Sequence, residues 1–162
     1  MERATGFPQK IFPKKVLSAA DVLRLRVFCY HICMHEDFQK MVADHMDAGF
    51  LENIIDMIKK DRGLLSLIPV LIGDDRQRVR IGAVALVETF LAGNRAEIEA
   101  LIPSISAALE NQNPSVRADA VYLMSLIGSK ALPCLRLAAL DEHPAVREAA
   151  AESIGELEGR AN

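Results

Sequence analysis

The chain has no tryptophan, 5% aromatic residues and three cysteines among 162 residues. Three cysteines are an odd number and too few for a disulfide framework, and no apolar signal segment precedes Cys29, Cys33 or Cys134, so a cytoplasmic location is expected. Charges interrupt every apolar stretch well short of the ~18 to 20 residues that a membrane span needs, and no contact with a membrane is expected. A positive excess is missing too. The net charge is −3, and residues 63–162 hold nine Lys/Arg against thirteen Asp/Glu, while residues 1–62 balance at ten against nine. Lys130 is the one lysine and Tyr122 the one tyrosine of the acidic part. Such a surface offers little to phosphates or unstacked bases, so no nucleic-acid partner is expected.

What the chain does have is one phrase in three copies: Asp74-x-x-Gln77-x-Val79-Arg80, Asn111-x-x-Pro114-x-Val116-Arg117 and Asp141-x-x-Pro144-x-Val146-Arg147. Each follows a helical segment marked by Pro69, Pro103 or Pro133, and the recurrence lies in the range of helical solenoids. Proline at a first helical position leaves no amide unpaired, so Pro114 and Pro144 mark the starts of second helices. A buried stripe follows each start: Val79-Ala83-Leu86-Phe90, Val116-Ala120-Leu123-Ile127 and Val146-Ala150-Ile154-Leu157. The helix pairs are expected at about 64–72 with 77–91, 96–110 with 114–127, and 131–140 with 144–157. Arg80, Arg117 and Arg147 each lie six residues after Asp74, Asn111 or Asp141, near enough for a charge-assisted ladder between neighbouring repeats.

Residues 1–17, with Lys10, Lys14, Lys15, Pro8 and Pro13, form a basic, loosely ordered arm. Residues 18–62 form cap helices: one over 19–35, opened by the Ser18-to-Asp21 capping box, then two with stripes Phe38/Met41/Val42/His45/Met46 and Phe50/Leu51/Ile54/Ile55/Ile58. If that cap leaves apolar surface over, the N-terminal helices would pair two copies of the chain.

The phrase resembles HEAT repeats, in particular the short HEAT-like repeats named after the phycobilisome lyases, whose D-x-x-P-x-V-R-x-x-A-A-x-x-L/I-G pattern is best kept over residues 141–155. The resemblance covers about residues 63–158. It implies an all-α fold, a right-handed, armadillo-like α-solenoid of stacked antiparallel helix pairs, with repeats at 63–92, 95–128 and 130–158 behind the N-terminal helical cap. In such repeats the three first-helix prolines bend that helix, and the Asp/Asn and Arg residues hold neighbours together. Gln77 stands where the other copies have proline, so the first turn is expected to be tighter.

Enzymatic members of the class can be tested residue by residue. Deoxyhypusine hydroxylase resembles this architecture but carries His-Glu pairs just after Val-Arg, where this chain has Ile81-Gly82, Ala118-Asp119 and Glu148-Ala149; no di-iron site of that type is expected. HEAT-like glycosylases need a basic, aromatic surface, which is missing. Bilin attachment has no residue signature here. Cys29-x-His31-x-Cys33-x-His35 has the right ligand types for zinc, but on a helix steps of two residues place them on opposite faces, and a site would need His45 or a bent segment. His143 has no nucleophile beside it, so no catalytic residue, metal or cofactor is assigned.

The function expected is a non-catalytic protein-binding scaffold or adaptor, with a metal-binding or lyase-like enzyme-accessory protein using the 29–45 region as the alternative and a nucleic-acid binder third. Second helices line the concave side in HEAT-like stacks, and Arg78, Gly82, Ala85, Thr89, Ser115, Asp119, Tyr122, Glu148 and Glu152 lie opposite the buried stripe. Arg78, Asp119, Tyr122, Glu148 and Glu152 are the candidate contact residues, with a basic segment of another protein as the partner.

Overall fold

The computed structural model describes residues 36–159, and among them every regular element is helical. The arm at 1–17, the expected helix at 19–35 and the Cys29/His31/Cys33/His35 group lie outside the described residues. Helix α1 spans 36–47 and α2 spans Leu51–Lys60. A turn at Gly49, with φ of 93°, joins them, a conformation that glycine reaches without a Cβ penalty.

Three helix pairs follow. In the first, a 3₁₀ segment, Arg62–Leu67, runs into α3, Ile68–Ile72, which is paired with α4, Gln77–Phe90. The second has α5, Arg95–Glu99, then α6, Ile102–Ile105, and a 3₁₀ segment, Ser106–Glu110, paired with α7, Pro114–Ile127. The third has a 3₁₀ turn, Ser129–Ala131, then α8, Leu132–Ala138, paired with α9, Pro144–Gly159. The second helices are continuous and begin at the residues that the repeated phrase marks. The first helices are broken, because Pro69, Pro103 and Pro133 supply no amide to the preceding turn and their rings crowd its carbonyls.

The buried stripes explain why the pairs stack. Val79, Ala83, Leu86 and Phe90 on α4, and Val116, Ala120, Leu123 and Ile127 on α7, are all buried. Ile98, Ile105, Leu71, Ile72 and Leu135 meet them from the first helices. In α9 Val146, Ala150 and Ser153 are buried, Ser153 rather than the expected Ile154 standing where α4 and α7 have Leu86 and Leu123, while Ile154, turned toward the side where a next repeat would stack, and Leu157 are half-covered.

Four expectations need correction. Gly82 does not point outward: it is buried, and a Cβ there would run into the Met46 side chain of α1 and approach Leu51. A side chain at that position would require the Met46 side chain to shift. Met41, His45 and Phe50 do not join the buried stripes: the helix around Val42, Ala43 and Met46 packs on one side only, and the His45 and Phe50 rings lie outside with centroids 5.9 Å apart and planes tilted by 53°. The first turn is not the tightest. It spans residues 73–76, against 111–113 in the second pair and 139–143 in the third, and it closes through the same Asx bond with glutamine in place of the proline. Arg147, finally, makes no ion pair with a neighbouring repeat among the described residues.

Candidate functional site

Each turn is built the same way. The side-chain oxygen at the first phrase position accepts a backbone N–H two residues on: Asp74 from Arg76 at 2.9 Å, Asn111 from Asn113 at 2.8 Å and Asp141 from His143 at 2.8 Å. This Asx closure turns two consecutive carbonyls toward the helix that follows. The arginine of the phrase fills that cradle with its Nη1. Arg80 donates to the carbonyls of Asp74 and Asp75 at 2.9 and 2.8 Å, Arg117 to those of Asn111 and Gln112 at 2.8 and 3.2 Å, and Arg147 to those of Asp141 and Glu142 at 2.8 and 2.9 Å. Within a repeat the link is therefore arginine to backbone, and the Asp or Asn side chain shapes the turn.

The remaining guanidinium donors reach the next repeat. Arg117, with 6% of its side chain exposed, gives Nε and Nη2 to both oxygens of Asp141 at 2.8 Å each. For Arg80, as deeply buried, the residue corresponding to Asp141 in the following turn is the neutral Asn111, and the carboxylate comes from the helix instead, Nε donating to Asp119 Oδ2 at 2.6 Å. Position 149, the α9 counterpart of Asp119, is alanine, because Asp141 already serves that joint. On the other side Arg76 binds Asp74 at 2.8 Å and Asp44 of α1 at 2.7 Å, and Arg78 donates to the Asp47 carbonyl at 2.9 Å. Two of the five candidate contact residues, Arg78 and Asp119, thus have structural partners.

These contacts set the charge states. The hydrogen bond from Arg117 holds the Asp141 carboxyl below its ordinary range, and that from Arg76 does the same for Asp74. A depressed folded value stabilises the fold above the unfolded pKa, about 3.9, and that stabilisation is lost as pH falls through the lower folded value. The melting temperature is therefore expected to be level above about pH 5 and to fall below about pH 4, with a shallower fall in Asp141→Asn. Differential scanning calorimetry across that range checks it, and parallel curves for the two proteins would remove Asp141 as a contributor.

The other candidates converge on one place. Tyr122 is 51% exposed on α7, and a groove of about 180 Å³ beside it is lined by Tyr122, Ser125, Ala149, Glu152, Ser153 and Glu156. Tyr122 and Glu152 meet there; Glu148 is exposed one turn earlier on α9, and Arg78 is on α4, outside the groove. Glu156 also lines the wall. Its i+4 spacing from Glu152 is visible in the sequence, but only the packing of α9 on α7 shows that both carboxylates flank the tyrosine. Among the described residues no group of three His, Cys, Asp or Glu side chains could hold a metal ion, and no helix is long and apolar enough to cross a membrane.

Stacked helix pairs, each clamped by one arginine, define an α-helical repeat protein. Residues 102–161 match the family model described as HEAT repeats. No curated protein and no solved structure matches the chain.

Proposed function

We propose that the chain is a non-catalytic scaffold that holds a basic segment of another protein in the groove between α7 and α9. HEAT repeats commonly serve protein–protein interaction, and no helix among the described residues is of membrane-spanning kind. The observation that carries the reading is the half-exposed Tyr122 ring beside Glu152 and Glu156. A lysine or arginine there places its stem on the ring, its cation within reach of the π face and its charge against carboxylates. The groove, about 180 Å³, is side-chain sized and below the ~300–1,000 Å³ usual for small-molecule sites. Acids along this face add long-range attraction, so the association is expected to be salt-sensitive.

The test compares the native chain with Tyr122→Ala, Glu152→Lys in retaining proteins from a lysate of the source cell, followed by titration of the retained protein's basic segment. The double variant keeps Asp119 and so leaves the Arg80 contact intact. Its affinity is expected to drop by roughly a hundredfold, the sum of a lost aromatic anchor and a reversed charge. Equal retention by the two proteins, or binding indifferent to salt, would remove the groove as the site.

A further inference from the structure

The second helices repeat a further stripe, at the side facing the next repeat: Arg80, Val84 and Val87 on α4, Arg117, Val121 and Met124 on α7, and Arg147, Ala151 and Ile154 on α9. In the first two copies it is covered. Val87, Val121 and Met124 are fully buried, Val84 is partly buried, and the arginines are clamped to a carboxylate of the next repeat. In α9 the same stripe is open, with Arg147 and Ala151 exposed and Ile154 half-covered. Arg147 is nonetheless set as the others are, with Nη1 held by two turn carbonyls, and among the described residues no carboxylate reaches its Nε and Nη2.

The stripe continues to Glu158, whose Oε1 is held by Arg136 of α8 at 3.0 Å. Positions 147, 151, 154 and 158 follow the 4, 3, 4 spacing of a coiled-coil seam. They are also symmetric about their midpoint, 147 opposite 158 and 151 opposite 154. An antiparallel pair of such helices related by a two-fold axis places each Arg147 against the other copy's Glu158, and each Ala151 against the other copy's Ile154, small against large. We propose that this face of α9 is the seam of an antiparallel homodimer, in which Glu158 of the second copy supplies the carboxylate that Asp119 and Asp141 supply inside the stack. One helix stripe is far smaller than the ~1,600 Å² of a standard stable interface, so the dimer is reversible and concentration-dependent.

Sedimentation equilibrium of the full chain, up to high micromolar concentration, tests this. The native chain is expected to show a monomer–dimer equilibrium. Glu158→Arg alone and Arg147→Glu alone each set like charges against each other twice and are expected to weaken self-association at least about tenfold. Mixing the two variants restores opposite charges at both ends of a mixed pair: the acidic side chain of Arg147→Glu faces the basic one of Glu158→Arg, and the unchanged Arg147 and Glu158 face each other. A heterodimer is therefore expected to return. Ala151→Glu, at an exposed position where glutamate favours helix, keeps the test sound should Arg147→Glu fail to fold; circular dichroism monitors folding, and this variant is expected to be monomeric. A native chain that stays monomeric, or a dimer untouched by Glu158→Arg and Ala151→Glu, overturns the proposal, the second result moving the contact to the N-terminal helices.

Discussion

Truncating Leu123 to alanine is expected to destabilise the protein by about 2–5 kcal/mol, the range for a large aliphatic side chain removed from a close-packed site. Leu123 is fully buried on α7, which packs against α4 on one side and α9 on the other, so the cavity opens at the centre of the described core. Neighbours on three helices are fixed by their own stripes and can relax little into the space. Leu137, on α8, is 70% exposed, and its alanine variant is expected to stay within about 0.5 kcal/mol of the native chain. Urea unfolding followed by circular dichroism measures both. Similar midpoints for the two variants would mean that α7 is not packed as described.

The second large effect is expected at the joint between the first two repeats. Arg80→Met removes two bonds to the carbonyls of Asp74 and Asp75 and the ion pair with Asp119, at a guanidinium with only 4% of its side chain exposed. Loss of a buried pair costs about 3–5 kcal/mol, and because Asp119 keeps 39% of its side chain in water the expected cost is lower, about 2–4 kcal/mol. Asp119→Asn leaves Arg80 seated on its carbonyls and is expected to cost less than about 1.5 kcal/mol. The asymmetry is the informative result. Equal costs for the two single variants would mean that the arginine works only across the joint and not as the anchor of its own turn.

Much of this architecture is legible in the linear chain because it rests on local chemistry. An Asp or Asn before a helix start, a proline or its substitute at the start, and a valine and arginine two and three residues on define a turn and one buried face without reference to anything distant. The stripes of α4 and α7 are buried as their spacing predicts, that of α9 only at Val146 and Ala150, and the helix pairs lie where the phrase places them. The breaks in the first helices follow from the missing amides of Pro69, Pro103 and Pro133.

Other features depend on which faces meet. Asp119, on the outward side of α7 by its helical position, pairs with Arg80 because Asn111 brings no charge to that joint. Gly82 is buried because α1 lies across it, and nothing in the repeat pattern specifies that helix's height or side. Met41, His45 and Phe50 look like stripe residues, yet helix periodicity fixes only their relative angles and not how wide an arc the neighbours will cover.

The sequence by itself determined the helical repeat, its turns and the inward face of each second helix, because these arise from dihedral preferences, capping and apolar period within about a dozen residues. Tertiary structure decided the rest: which carboxylate answers Arg80 and Arg117, that Glu152 and Glu156 flank Tyr122, and that among the described residues no helix stacks on the far face of α9. Those are distances between side chains on different helices, and no spacing along one helix contains them.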